Sequence, residues 1–165
     1  MTEFKEHIET NKKAWNKRTP IHIKSNFYNN DEFMKGKNSL KLIELNAIGD
    51  VTEKSLLHLQ CHFGQDSISF ARMGAKVTGV DFSDVAIKEA KKLAKKTNTH
   101  VNFIESNVLD LKLNKEFDIV FSSYGVIGWL PDLDMWAKTI ADHLKKGGLF
   151  LLTEFHPFLE LIKDN

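Results

Sequence analysis

Short apolar segments alternate with helical segments between residues 55 and 153, and this alternation restricts the chain to few folds. The predicted strands are 55–60, 76–81, 101–104, 117–122 and 149–153, and the predicted helices between them are 65–73, 84–96 and 132–145. Gly74 is placed to end the first of these helices, and KKGG at 145–148 to end the last. The pattern predicts a mainly parallel sheet covered by helices on both faces.

Residues 1–50 carry few strand signals and are predicted to be largely helical. One helix is expected around 3–17 and another near 38–48, separated by an irregular stretch that contains Phe27, Tyr28 and Phe33. We expect two domains: an N-terminal helical extension at 1–50 and a ligand-binding domain at 51–165. The aromatic residues of the extension, with Trp15, either fold over the ligand as a lid or pack as an added helical layer.

Charge and composition exclude several classes of partner. The chain has 23 Lys and Arg and 22 Asp and Glu among 165 residues, so no global field favours nucleic acid or an anionic membrane. No apolar run is long enough to span a bilayer, and the charged start MTEFKEHIETNKKAWNKR is not a secretory signal. A single cysteine, Cys61, suits a reducing compartment. These features predict a cytoplasmic α/β protein.

A ligand site is predicted where the first two strands end. The turn HLQCHFGQD (58–66) follows the first strand, and Gly64 within it permits a positive φ or a close backbone approach. The helix that begins near Gln65 would aim free N–H groups at a polar ligand. Asp81 ends the second strand, where a carboxylate accepts hydrogen bonds from two ribose hydroxyls. In this order, the features favour an adenosine-type ligand.

The same turn also suggests a metal site built from His58, Cys61 and His62. Zinc requires three or four converging ligands, whereas a strand side chain and two turn side chains converge poorly. The chain has no CxxC or HExxH motif. We therefore predict no metal and expect Cys61 to be a buried, unreactive thiol.

Several segments together resemble the class I S-adenosylmethionine-dependent methyltransferases over roughly residues 55–154. They are LLHLQCHFG (56–64), VTGVDFS (77–83), NVLDL (107–111), FDIVFSSYG (117–125) and LKKGGLFLLTE (144–154). HLQCHFGQD is similar to the first motif of a bacterial subset, with His58, Gln60 and His62 in place of the usual acidic residue and glycines. The resemblance implies a three-layer, Rossmann-like, doubly wound sheet of strand order 3-2-1-4-5, without the family's last two strands.

The resemblance also implies which residues bind S-adenosylmethionine, and S-adenosylhomocysteine as product. Gly64 and the backbone of 60–63 would follow the methionine part, Asp81 would bind the ribose, and Phe82 would cover the adenine. Asn107 would accept from the adenine amino group. Val108 would offer backbone contacts to the adenine ring, and Ser122 and Ser123 would flank the sulfonium and its methyl. Plain core packing is the alternative role for Phe82 and Val108, and a strand-end turn is the alternative for Ser122 and Ser123. The implied set is Gln60, Cys61, His62, Gly64, Asp81, Phe82, Asn107, Val108, Ser122 and Ser123.

Residues for the methyl acceptor are less constrained by sequence. Tyr124 and Trp129 lie in the loop SSYGVIGWLPD, which faces the expected acceptor site, and Tyr28 belongs to the candidate lid. His156 and Tyr124 are the candidates for a base, and a base is needed only if the acceptor must lose a proton first. The catalytic residue therefore stays open, and the acceptor is expected to be a small molecule.

Three functions remain open from the sequence. The first is an S-adenosylmethionine-dependent methyltransferase that acts by in-line displacement. The second is a truncated or catalytically impaired cofactor-binding domain. The third is another Rossmann-type nucleotide binder, for example of a nicotinamide cofactor. Because the fifth strand would be an exposed edge, we also expect a homodimer or a cover from 155–163 (FHPFLELIK).

Overall fold

The computed structural model describes residues 4–156 and 158, and within them the chain forms one parallel sheet flanked by helices. The strands are β1 (Ser55–Leu59), β2 (Lys76–Asp81), β3 (Asn102–Glu105), β4 (Phe117–Ser123) and β5 (Leu144–Thr153). The α-helices are α1 (Lys5–Lys24), α2 (Asn30–Met34), α3 (Leu42–Ile48), α4 (Gln65–Arg72), α5 (Asp84–Lys96) and α6 (Leu133–His143). Single 3₁₀ turns occupy Val108–Asp110 and Ile127–Trp129.

The strand order is β3-β2-β1-β4-β5, with every neighbouring pair parallel, which confirms the predicted fold class. In the centre, Leu57 of β1 lies opposite Thr78 of β2 on one side and Val120 of β4 on the other. The order reverses at β1 and β4, so a crevice forms beyond the carboxyl ends of these strands. This crevice holds the site described below.

Apolar side chains on both faces of the sheet hold the layers together. Leu57 and Leu59 of β1 pack on one face against Trp136 and Ile140 of α6. On the other face, α3, α4 and α5 cover the sheet through Ile48, Ile68, Phe70, Ile87 and Leu93. Burial of each such side chain contributes about 1.5–3 kcal/mol relative to exposure.

Three predictions at the N-terminal end are wrong. The first helix does not stop near residue 17; α1 continues through Pro20 to Lys24. The aromatic stretch is not wholly irregular, because α2 begins at Asn30, and Phe33 and Leu40 are buried in the same clusters as the sheet. The helix expected near 38–48 begins only at Leu42.

The segment KKGG does not end a helix as predicted. α6 ends at His143, and β5 already begins at Leu144, which pairs with Phe117. The register then shifts between Phe117 and Ile119, and Gly147 takes a φ of +78° in this irregularity. The ammonium of Lys145 contacts a carboxylate oxygen of Asp118 at 2.8 Å. The lysine is thus held by the sheet rather than by a helix end.

At its outer side β5 has no neighbouring strand within residues 4–156 and 158. Of the segment proposed as a cover, 155–163, positions 157 and 159–163 lie outside the described residues. No described helix is both long enough and apolar enough to cross a membrane.

Candidate functional site

A cavity of about 720 Å³, counting the open space at its mouth, lies beyond the carboxyl ends of β1 to β4. Its wall is formed by α1, by the loops that follow these strands, and by the aromatic segment before α2. The lining residues are Ile8, Asn11, Trp15, Tyr28, Gln60, His62, Asp81, Phe82, Asn107, Val108, Leu109, Tyr124, Gly125, Val126, Trp129, Leu130 and Pro131.

The turn between β1 and α4 takes left-handed backbone at alternate positions. Gln60 has a φ of +52°, His62 of +51° and Gly64 of +82°. Left-handed backbone is unfavourable for residues that carry a Cβ. Gln60 and His62 nevertheless carry long side chains, and both residues line the cavity.

Gly64 does not line the cavity, and the reason for a glycine there is packing. A Cβ at this position would lie 2.5 Å from Cζ of Phe103. Gly79 of β2 faces the same ring, with a Cβ that would lie 2.8 Å from it. Cys61 is also buried beneath the turn, in the cluster that contains Phe103, and burial raises the pKa of its thiol. Gly64 and Cys61, which were predicted to contact a ligand, therefore lie behind the cavity wall and not in its lining.

Asp81 ends β2 with a buried carboxylate that faces the cavity. One carboxylate oxygen accepts the N–H of Ser83 and the other accepts the N–H of His62, both at 2.8 Å. Burial raises the pKa of Asp81 to about 6, although these backbone bonds act in the opposite direction. Each oxygen keeps a free lone pair, so the group can accept two further hydrogen bonds.

The residues predicted to surround an adenine meet at the ends of β2 and β3. Phe82 is half-buried and lines the cavity beside Asn107 and Val108. The side-chain oxygen of Asn107 accepts the N–H of Leu109 at 3.1 Å and so caps the 3₁₀ turn. The carbonyl of Val108 accepts the hydroxyl of Thr139 at 2.9 Å.

The two serines that end β4 lie behind the cavity rather than in its lining. The Ser122 hydroxyl donates to Oε1 of Gln60 at 3.0 Å and contacts the Leu59 carbonyl at 3.3 Å. The Ser123 hydroxyl donates to the half-buried carboxylate of Asp66 in α4. Ser122 therefore reaches the cavity only through the side chain of Gln60.

Helix α1 lies along the cavity and is tied by polar side chains to the end of β3, the start of α5 and the loop after β4. Asn11 donates to the carbonyl of Trp129 at 3.2 Å, and Lys12 contacts Glu105 at 2.8 Å. Asn16 donates to Asp84 at 2.8 Å. The Trp15 ring meets Trp129 edge-on at 5.5 Å between centroids. Trp15 and Tyr28 line the cavity, whereas Phe27 is exposed.

The fourth tie, to the turn after β1, is a pair of histidines. Nδ1 of His22 and Nε2 of His62 lie 3.1 Å apart, and the Tyr28 ring stacks on His22. Burial lowers the pKa of His62 to about 3, and burial with the charge of Arg18 lowers the pKa of His22. Both rings are therefore neutral near pH 7. Gln65 adds a further link, because its side-chain amide donates to the Tyr28 carbonyl at 2.9 Å.

The described residues contain no group of three or more His, Cys, Asp or Glu that could hold a metal. His58 is buried in the sheet, where Nδ1 contacts the Ser67 hydroxyl at 2.8 Å and the ring packs on Phe121. His62 instead faces α1. The two histidines and Cys61 do not converge.

Comparison with known proteins decides the family. A family model described as a methyltransferase domain matches residues 56–148, which is more than half of the chain. The chain belongs to the class I S-adenosylmethionine-dependent methyltransferases.

Individual relatives agree with this assignment. The ubiquinone biosynthesis O-methyltransferase of Pelagibacter ubique is 30% identical over 105 residues, which cover 64% of this chain and 43% of that protein. A Pyrococcus horikoshii protein of solved structure is 28% identical with a TM-score of 0.61, covering 67% of this chain and 53% of that one. The structure of the DhpI–SAH complex has a TM-score of 0.71 and covers 92% and 71% of the two chains; at 17% identity it shows the fold alone. The chain spans about half the length of its curated relatives, with 44%, 43% and 46% of three ubiquinone O-methyltransferases.

In this methyltransferase domain, the two candidate bases differ in position. Tyr124 lines the cavity, but its hydroxyl donates to the buried carboxylate of Glu44. Burial, and then this hydrogen bond, raise the pKa of Tyr124 well above its ordinary value, so it is a poor base near pH 7. His156 is exposed and does not line the cavity.

Other residues that shape the site of this methyltransferase domain carry no local sequence signal. The Glu154 carboxylate accepts N–H groups of Val126 at 2.7 Å and Ile127 at 2.9 Å, as well as that of Gly125, and so fixes the cavity loop. Trp136 of α6 donates its indole N–H to Gln60. The four-residue spacing between Trp136 and Ile140 indicates a buried helix face. It does not indicate that Trp136 contacts Gln60.

Proposed function

We propose that this chain binds S-adenosylmethionine in the cavity and transfers its methyl group to a small-molecule acceptor, releasing S-adenosylhomocysteine. The observation that carries the proposal is the Asp81 carboxylate, which lines the cavity at the end of β2 with both oxygens free to accept again. A pair of ribose hydroxyls matches this acceptor pair. Phe82, Asn107 and Val108 offer a partly apolar slot beside it that suits an adenine.

In the proposed reaction, S-adenosylmethionine supplies an electrophilic methyl group on a sulfonium. The residues around the cavity bind and align the reactants, and such alignment can contribute about 7–11 kcal/mol to a two-reactant step. The side chains of Trp15, Tyr28 and Trp129 line the cavity, and the two tryptophan rings contact each other edge-on. The proposal assigns no general base, because Tyr124 is engaged by Glu44 and His156 is outside the lining.

The buried, single cysteine supports a cytoplasmic location as part of this proposal. The near-balanced charge gives no attraction to nucleic acid. The acceptor side of the cavity carries Val126, Trp129, Leu130 and Pro131, which favours an acceptor with an apolar body.

Calorimetric titration with S-adenosylmethionine, S-adenosylhomocysteine and NAD tests the proposal. We expect the first two to bind and NAD not to bind. Asp81→Ala should weaken both by about a hundredfold, because hydrogen bonds to a charged acceptor contribute about 1.5–3 kcal/mol each. Asp134→Asn, at an exposed position in α6, is the matched control and should bind as the parent does. Unchanged binding by a folded Asp81→Ala protein would refute the site, and preferential binding of NAD would indicate a different nucleotide function.

A further inference from the structure

Arg18 of α1 is held against the two tryptophan rings of the cavity wall. Its Cζ lies 5.0 Å from the ring centroid of Trp129 and 5.8 Å from that of Trp15. Arg18 follows Trp15 by three residues within α1, so the two side chains lie on the same face of the helix. A guanidinium stacks well on aromatic rings, and this stacking restricts a side chain that is otherwise flexible.

The rings that hold Arg18 are themselves fixed to each other. The side-chain amide of Asn11 donates to the carbonyl of Trp129 at 3.2 Å, which ties the loop after β4 to α1. The Trp15 and Trp129 rings meet edge-on, with 5.5 Å between their centroids. The guanidinium is therefore placed jointly by a helix and by a loop that is bonded to that helix.

The charge of Arg18 is not neutralised by an acidic side chain. Among residues 4–156 and 158, no carboxylate lies within ion-pair distance of its guanidinium. By contrast, Lys12 in the same helix contacts Glu105 at 2.8 Å and Asp84 at 3.7 Å. Burial, and then the charge of Arg18, lower the pKa of His22. The positive charge of Arg18 thus remains available to a ligand that carries a negative one.

The cavity wall beside Arg18 is apolar and carries no cation. Arg18 is exposed and does not line the cavity, so its charge lies beside the wall that Trp15 and Trp129 form. The segment 126–131 supplies further apolar side chains to the lining, which contains no Lys or Arg. A molecule seated against this part of the lining would therefore meet an apolar surface with one positive charge next to it.

Three kinds of methyl acceptor would interact differently with this arrangement. A cation would be attracted by the aromatic rings, but Arg18 already lies over both tryptophans and would repel it. A neutral acceptor would not use the charge. A carboxylate matches the planar guanidinium, which can donate two parallel N–H hydrogen bonds to its two oxygens. The arrangement therefore favours an anionic acceptor over the other two kinds.

We propose that Arg18 binds a carboxylate at the outer end of the methyl acceptor, whose apolar body lies against Trp129 and the segment 126–131. This inference rests on the proposed function, and it names the acceptor class as an apolar carboxylic acid. Arg18 is then a specificity-determining residue that acts on the binding of the acceptor and not on that of the cofactor. Its effect is moderate, because water and salt screen an exposed charge.

Three probes and three variants test the assignment in protein that is saturated with S-adenosylhomocysteine. The probes 3-phenylpropionate, 3-phenylpropionamide and 3-phenylpropylamine share one apolar body and end in an anion, a neutral amide and a cation. Arg18→Gln removes the charge, whereas Arg18→Lys keeps the charge without the planar guanidinium. Lys17→Gln is the matched control, because it removes the same charge at the neighbouring exposed position of α1.

Calorimetry should show that the parent protein binds 3-phenylpropionate about threefold to tenfold more tightly than the amide, and the amine most weakly. Arg18→Gln should abolish this preference, Arg18→Lys should keep part of it, and Lys17→Gln should keep all of it. None of the variants should change the affinity for S-adenosylhomocysteine, since neither Arg18 nor Lys17 lines the cavity.

Equal binding of the three probes, a preference for the amine, or a carboxylate preference that survives Arg18→Gln would overturn the inference. A parent protein that binds S-adenosylhomocysteine but none of the three probes would overturn it as well, and would leave the proposed function standing. A parent protein that does not bind S-adenosylhomocysteine would instead refute the proposed function, and the inference with it.

Discussion

Gln60, His62 and Gly64 all take positive φ in one turn, but for two different reasons. Gln60 and His62 send their side chains into the cavity, where two glycines would leave open space. Gly64 faces the opposite way and lies on the ring of Phe103. The turn therefore combines two ligand-facing side chains with a glycine that is required by packing.

Gly64→Ala should lower the free energy of unfolding by about 2–5 kcal/mol. The left-handed backbone accounts for about 1–2 kcal/mol, and the overlap of the new Cβ with Phe103 adds about 1–3 kcal/mol. Gly49→Ala is a matched control, since Gly49 has a φ of +65° and no atom within 4 Å of its would-be Cβ. Urea unfolding measures both. Equal losses in the two variants would mean that Phe103 imposes no packing constraint.

The sequence allowed the fold to be predicted better than the individual contacts of the site. Asp81 was located correctly at the end of β2, because strand periodicity and the preceding helix fix that position. The position of Ser122 and Ser123 behind the cavity wall was not predicted, since a strand end does not reveal which neighbouring side chains its hydroxyl groups will contact. The pairing of Gln60 with Trp136 joins residues 76 positions apart, and no local pattern encodes it.

At the scale of elements, α1 departs most from expectation. Its amphipathic pattern is weak because it contacts loop ends through polar and aromatic side chains instead of covering the core with an apolar stripe. Those contacts also explain why it continues past residue 17 and through Pro20. The last turns are needed to bring His22 to His62. A helix whose length is set by tertiary contacts cannot be bounded from propensity alone.

Acid should release the C-terminal half of α1. In a released helix, both imidazoles would regain a pKa near the ordinary 6.5, whereas the closed arrangement lowers the pKa of His62 to about 3 and also lowers that of His22. The closed state therefore keeps its full stability above about pH 6.5 and loses it as the pH falls from there toward 3. Asp81 affects the stability of the whole fold in the opposite sense. Its pKa is raised to about 6 in the folded protein, so protonation below about pH 6 favours the folded over the unfolded state.

Hydrogen exchange, corrected for intrinsic rates, measures this release. Amides of 18–24 should exchange faster at pH 5 than at pH 7.5, relative to those of β1 and β4. His22→Phe should reduce this acid dependence, while His100→Gln, at an exposed position, should leave it unchanged. If the His22→Phe protein keeps the full acid dependence, the histidine pair does not hold the helix.

On the scale of the whole molecule, the two edge strands of the sheet, β3 and β5, differ in how they are covered. α5 packs against β3, and α1 crosses above it, where Lys12 pairs with Glu105. β5 has a strand on one side only within the described residues, and Leu149 is 38% exposed. An edge of this length offers unpaired N–H and C=O groups to another chain. This is where we expect an intermolecular contact.

We predict that the chain associates as a homodimer through the outer side of β5. Light scattering after size exclusion should give a mass that rises from one chain toward two with concentration, and amides of β5 should be protected from exchange in step with it. Leu149→Lys should shift the equilibrium toward the monomer by about tenfold, because a charged side chain on an edge strand opposes pairing. Leu133→Lys is the matched control, since this leucine is 48% exposed but belongs to α6 and not to the edge strand. A monomeric mass at every concentration, together with rapid exchange of the β5 amides, would contradict the prediction, because the edge would then be neither paired nor covered.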